Sequence, residues 1–300
     1  MPPITADEEL SKNIKLKREN IEHLREWLMK QPHLPNSQIT DEQLILFLHS
    51  CQHSLEASKQ TIEAYYSIRT HAPELFGNRD TNYPPIKQAL SIIEIAAMPK
   101  RDQHGNVVML GRLSDTDSAK FSYDNCLNCW FMLMDIKLLE EGAVPGYVFM
   151  FDMKGVSLRH VTGISLTTLK KYFMYIQDAF PGIVVANHML NATAPCETFL
   201  SMCKPFMRKE LLSKLHVHTS MNTVYEHVPK EVLPKEYGGK LDSISIYSQV
   251  KNTLGQLDKY KDWLKKEETI RVDESKRPGK AKDAGDVFGV EGSFKKLDID

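Results

Sequence analysis

Nowhere does the chain present the roughly 20 consecutive apolar residues that a bilayer-crossing helix requires. Basic charge is not in excess either: Lys and Arg number 38 against 39 Asp and Glu, for a net charge of -1. A general nucleic-acid binder carries a basic balance, so that class falls away first. Cysteine is scarce, and the five present (51, 126, 129, 196 and 203) are an odd number without the spacings of a disulfide framework. The opening Met1-Pro2-Pro3-Ile4-Thr5-Ala6-Asp7-Glu8-Glu9 is acidic where a secretory leader is basic and then apolar. These absences predict a reduced, cytoplasmic setting. The enzyme signatures are missing too. No Gly-x-Gly-x-x-Gly follows a strand, and there is neither a Gly-x-x-x-x-Gly-Lys-[Ser/Thr] phosphate loop nor a Gly-x-Ser-x-Gly nucleophile turn. No catalytic residue and no cofactor is expected.

What remains is a globular composition, 42% hydrophobic and 26% charged, over 300 residues. That length suits one large domain or two modest ones. From Asp7 to about Gln31, Leu10, Ile14, Ile21, Leu24 and Leu28 recur at helical spacing, with Thr5 or Asp7 as cap and Pro32 and Pro35 as the stop. A second helix starts at Thr40-Asp41-Glu42-Gln43 and a third runs from about Leu55 to His71, closed by Pro73. After Arg101 the pattern alternates. Strands are predicted at Val107–Leu113, Tyr147–Phe151, Gly182–Met189 and Leu215–His218. Helices are predicted at 122–141, Ser165–Ala179 and, despite Pro205, Thr198–Ser213. Such alternation implies βαβ units and a largely parallel sheet. A last helix at about Gln249–Glu268 gives way to a polar segment from Arg271 to Asp300, read as an irregular surface arm anchored at Val287, Phe288, Val290 and Phe294.

Several residue types with chemical potential have a plainer reading. Cys126-Leu127-Asn128-Cys129 has redox or metal spacing, yet no second cysteine pair completes a zinc site, and on a helix the two thiols join an apolar face. His216 and His218 point to the same side of a strand but lack a third ligand, so no metal is expected. Asn191-Ala192-Thr193 is an incidental glycosylation pattern, and Asp152 and Lys154 suit the turn after a strand rather than acid–base work.

Five short segments, in order, carry a resemblance. They are Asp41-Glu42-Gln43-Leu44-Ile45-Leu46-Phe47-Leu48, then Val148-Phe149-Met150-Phe151-Asp152-Met153-Lys154-Gly155, then Ala179-Phe180-Pro181. Phe199-Leu200-Ser201-Met202-Cys203-Lys204-Pro205-Phe206 follows, and Leu233-Pro234-Lys235-Glu236-Tyr237-Gly238-Gly239 closes the series. Over about residues 10–260 the chain resembles the CRAL-TRIO lipid-transfer proteins, in the branch of the α-tocopherol transfer protein and the cellular retinaldehyde-binding protein. The tail around Arg277-Pro278-Gly279 and Phe288–Gly292 is similar to that of many insect members.

The resemblance implies an α/β fold with a helical N-terminal bundle (residues 1–85). A lipid-binding domain (86–255) follows, with a mostly parallel sheet, an apolar pocket and a lid helix at about Ala194–Leu215. The C-terminal helix end and surface arm (256–300) complete the chain. It implies a pocket lined by Cys126, Cys129, Leu133, Tyr147, Phe149, Phe151, Tyr175, Ala179, Asn187 and Met189, beneath Phe199, Met202, Cys203 and Phe206 of the lid. The implied activity is binding of one small hydrophobic ligand, tocopherol-like or another isoprenoid such as a retinoid or carotenoid, and its delivery to membranes by transient peripheral contact. The alternative is a lipid-sensing adaptor, or a phosphoinositide- or phospholipid-binding protein of the same fold. One departure bears on the phosphoinositide. Where the family places basic residues, this chain has Ile183, Val185 and Glu210, and only Lys214 keeps its charge, with Arg208 and Lys209 beside it.

Overall fold

In the computed structural model, residues 3–240 and 245–289 are described. The amino-terminal part is helical. It comprises α1 (Ala6–Lys12), α2 (Arg18–Met29), α3 (Asp41–Ser50), α4 (Leu55–His71), α5 (Pro73–Phe76) and α6 (Pro84–Ile92). The predicted Asp7–Gln31 helix is in fact two. The Asn13 side chain accepts the Lys15 N–H at 3.0 Å, a local bond that competes with the helical ladder. The chain leaves α1 extended at Asn13, so Ile14, assigned by periodicity to the core face, is 94% exposed. Thr5 with Glu8 and Thr40 with Gln43 form reciprocal capping boxes that fix the starts of α1 and α3.

A five-stranded sheet follows, in spatial order β1 (Ile93–Ala97), β2 (Val107–Leu113), β3 (Tyr147–Asp152), β4 (Val184–Leu190) and β5 (Leu215–Val217). Strand β1 pairs antiparallel with β2, and the other neighbours are parallel. Sequence reading missed β1 because its apolar residues run on from α6 without a turn signal. The crossovers are α7 (Tyr123–Glu141), then α8 (Leu158–Thr162) with α9 (Leu166–Met174), then α10 (Ala194–Cys203) with α11 (Lys209–Leu212). Strand alternation divides the sheet into two faces. Val108, Leu110, Val148, Met150 and Leu190 pack on one side with Val224, Val228, Leu233 and Tyr237. That layer includes α12 (Met221–Val224) and the start of α13 (Ile246–Lys259). The opposite face packs against α7 and α9.

The predicted Gln249–Glu268 helix also divides, at Tyr260, into α13 and α14 (Lys261–Thr269). The following arm is better anchored than its composition suggested. Arg271 donates to the Phe76 carbonyl at 2.7 Å, and Val272 N–H to Thr70 at 2.9 Å. Arg277, nearly buried, bonds Glu63, Glu274 and Ser67, and Phe288 at the end of α15 (Ala284–Phe288) is buried. The predicted anchors Val290 and Phe294 lie outside the described residues.

Candidate functional site

A cavity of about 190 Å³ opens on the α7–α9 side of the sheet, above the C-terminal ends of the strands. Its floor is Ile95 of β1, Gly111 of β2, Phe151 of β3, Asn187 and Met189 of β4 and Leu215 of β5. Register explains the choice. Gly111 pairs with Phe151 and Phe151 with Met189, and Asn187 with Leu215, so these side chains stand in two neighbouring rows on one face. By the measure in which one water occupies roughly 10–15 Å³, the space exceeds what a few structural waters fill. Gly111 adds no side chain to the floor; a Cβ there would rest in ordinary contact with Trp130 and Phe151, at 3.4 Å and 3.5 Å.

The walls come from three helical segments. Tyr123, Cys126, Leu127 and Trp130 recur at helical spacing on α7; Tyr172, Phe173 and Ile176 face in from α9 and the turn after it. The roof is α10 and the segment behind it, with Phe199, Leu200, Cys203, Met207 and Leu211. The continuous Thr198–Ser213 helix expected from sequence is broken here. Pro205 lacks the N–H that would continue the ladder, so α10 tightens into a 3-10 turn at Lys204–Phe206 and Met207 is extended. The break rotates Met207 and Leu211 over the cavity.

Of the fourteen side chains implied as lining, the cavity brings together Cys126, Phe151, Asn187, Met189, Phe199 and Cys203. The structure places the other eight elsewhere. Tyr147 and Phe149 share the face of Phe151, but they lie toward the strand's N-terminal end and are covered by the core. Cys129 and Leu133 lie farther along α7, one and two turns beyond Cys126, and are fully buried outside the cavity. Tyr175 belongs to an aromatic group with Tyr65, Phe76 and Phe131, and Arg69 reaches its hydroxyl at 3.4 Å. Ala179 is core, and Met202 and Phe206 pack partly buried against the core beside the lining face. Residues that sequence reasoning missed include Trp130, Val156, His160 and Ile164. The segment 156–164 carries no signal in the sequence, because α8 is too short to show a period.

The chemistry of the lining is quiet. Burial pushes the Cys126 thiol up to about 12, which leaves it neutral and a poor nucleophile. Arg112 and Asp152 border the cavity but are engaged: Arg112 bonds Glu94 at 2.5 Å, and Asp152 accepts from Asn191, the Tyr237 hydroxyl and the Lys154 N–H. The lining is predominantly apolar, and its charged members are paired within the chain.

The Gln177 side chain ties the roof to the wall. A single π turn at Tyr175–Ala179 follows α9, and within it Gln177 donates to the Phe206 carbonyl at 3.0 Å and accepts the Arg208 N–H at 2.7 Å. Such turns often mark functional positions in helices. Gln177→Ala is expected to speed release of a bound apolar fluorophore several-fold without moving the thermal midpoint by more than a few degrees, measured by stopped-flow chase. The basic candidates sit nearby. Arg208 pairs with Asp178 at 2.5 Å, Lys214 donates to the Val184 carbonyl at 2.7 Å, and Lys209 is exposed.

On the opposite face of β4 and β5 lies a group of four imidazoles. His188 Nδ1 is 2.9 Å from His218 Nε2, and the rings of His188, His216, His218 and His227 lie 4.3–6.3 Å apart. Among the described residues no group of three or more His, Cys, Asp or Glu is placed to hold a metal ion. Burial first, and then the neighbouring imidazoles, depress His188 to about 3, and His216 and His218 also lie below the usual value. The unfolded chain therefore binds more protons than the folded one in the window below pH ~6.5. Stability is full above that value and is lost progressively as pH falls toward 3. His188→Asn is expected to flatten this loss in urea titrations between pH 7 and pH 5; an unchanged slope would count against the assignment.

Comparison with known proteins places these elements. Residues 94–239 match the family described as CRAL/TRIO domain, and residues 13–86 match the one described as Pinta-like, UBA domain. A human protein named "Alpha-tocopherol transfer protein-like" is 27% identical over 238 residues, 78% of this chain and 68% of the relative. The mouse "Clavesin-1" is 20% identical over 249 residues, 82% of this chain and 70% of the relative. Among solved structures, that of Sfh5 aligns with a TM-score of 0.46 at 14% identity, covering 83% of this chain and 99% of that one. Among the described residues no helix is long and apolar enough to cross a membrane.

Proposed function

Residues 94–239 are a CRAL/TRIO domain, and from this premise we propose that the chain is a carrier. It takes one small hydrophobic ligand into the roofed cavity, shields it from water and delivers it to membranes. The observation that carries the reading is the cavity itself: an apolar floor, apolar walls and a roof built on an interrupted helix. An apolar ligand that buries about 400 Å² there gains roughly 10 kcal/mol before ordering costs. The likeness to a protein named for tocopherol transfer supports an isoprenoid cargo of tocopherol-like size. Delivery is supported by apolar side chains left exposed near the roof, Leu158 of α8 and Leu212 of α11, beside the charged Lys209. A phosphoinositide trigger has little support, since two of the three nearby basic side chains are already engaged within the chain.

The test is organic extraction of purified protein after incubation with a tissue lipid extract, followed by mass spectrometry. One dominant isoprenoid at near one per chain is the expected result. A broad phospholipid mixture would replace the reading with general lipid exchange, and protein that emerges empty would overturn it.

A further inference from the structure

His160 lies on α8, beneath the roof, and is 2% exposed. It borders the cavity, with the Phe121 ring edge-on at 5.1 Å. Its two nitrogens have different fates. Nδ1 accepts the backbone N–H of Ser157 at 3.1 Å and lies 2.7 Å from the Ser157 hydroxyl. Nε2 is buried and has no hydrogen-bond partner among the described residues.

The first contact fixes the second atom's chemistry. A ring nitrogen that accepts a backbone N–H presents its lone pair, and a neutral imidazole then carries its proton on the other nitrogen. Burial holds the His160 pKa below the ordinary imidazole value, with the Asp117 charge opposing, so the ring is neutral at physiological pH. Nε2–H is therefore a fixed, unpaired donor on a side chain that borders the cavity. A buried donor left unpaired costs as much as the hydrogen bond it lacks, or more. A ligand whose acceptor reaches Nε2 relieves that cost, and a hydrocarbon leaves it in place.

From this we infer that His160 selects the cargo's polar end: the cavity takes an apolar body carrying an acceptor oxygen (hydroxyl, carbonyl or ether) seated on His160 Nε2–H. The inference rests on the carrier reading and narrows its ligand class. It makes His160 a specificity determinant, while Ser157 is a positioning residue that sets the tautomer.

The experiment compares two ligands with one skeleton, phytol and its hydrocarbon phytane, in equilibrium binding to the full chain. Wild-type protein is expected to prefer phytol by about tenfold, a typical margin when a buried donor finds or lacks its acceptor. His160→Phe is expected to bind phytane as well as wild type or better, and to bring the ratio near one. A ratio unchanged in the variant, or a wild type that binds both equally, overturns the role of His160 and leaves the carrier reading standing. Wild type that binds neither of these, nor all-trans-retinal, removes the carrier reading and the inference with it. Should the variant not fold, two-bond ¹H–¹⁵N spectra of wild-type imidazoles decide. A proton on His160 Nε2 whose resonance shifts with phytol but not with phytane supports the assignment; a proton on Nδ1, or no difference between the ligands, refutes it.

Discussion

Replacing Asp135 by alanine is expected to destabilise the folded protein by about 3–5 kcal/mol, read as a fall in the urea midpoint. Asp135 lies on α7 and is 4% exposed. Its carboxylate pairs with Arg69 of α4 and lies 2.7 Å from Nη1 of Arg79, both guanidinium groups being buried. Without it two buried cations face each other; the buried Glu267 lies nearby, but burial raises that carboxyl's pKa toward the neutral form. Arg69 also stacks over Tyr65 and Phe76, its carbon 4.4 Å and 4.8 Å from their ring centres. The triad thus pins the helical part to the α/β part. Burial drives the Asp135 pKa up, but Arg69 and Arg79 together overcome it and hold it below the usual value. A depressed folded pKa contributes stability above the unfolded value of ~3.9 and loses it as pH falls through the folded one. Wild type should therefore gain an unfolding component below pH ~4 that Asp135→Ala lacks. A double-mutant cycle with Arg69→Ala should show coupling well above 1 kcal/mol; additivity would mean that the triad is only a neighbourhood of charges.

That triad was invisible in the sequence, and the reason is general to this chain. Arg69 and Asp135 are 66 residues apart, and nothing local distinguishes a buried arginine from the exposed ones. What sequence conveyed well were features set by short-range periodicity: the strands at 107–113 and 147–151, helix α7, and the parallel order that alternation implies. Breaks were harder. Asn13 and Tyr260 interrupt apolar patterns that continue on either side, and Pro205 was counted as tolerated although the missing N–H reshapes the roof. The site was half legible for a geometric reason. Period-two and helical spacing give a side chain's direction, and Phe151 and Cys126 do border the cavity. Depth along the element is set by what packs on it, and no periodicity encodes that Tyr147 and Phe149 lie under the core while Phe151 lies under the cavity.

The same distinction separates two cysteines three residues apart. Cys126→Trp is expected to weaken binding of an apolar ligand by at least a hundredfold, measured by fluorescence titration, and to leave the thermal midpoint unchanged or higher. The indole would occupy space that the ligand needs, beside Trp130 and Phe199, and would bury its own surface without displacing packed atoms. Cys129→Trp places the same side chain one turn away, where the thiol has no exposed surface. Overpacking there costs about 1–3 kcal/mol or more, so this variant should unfold earlier while its folded fraction still binds ligand. A redox or metal pair would behave otherwise: both substitutions would abolish the same function together. Opposite outcomes at 126 and 129, binding lost at one and stability at the other, are what a cavity wall backed by a closed core requires. Equal losses of binding at both positions would mean that the ligand reaches deeper along α7, to the side that the family resemblance first implied.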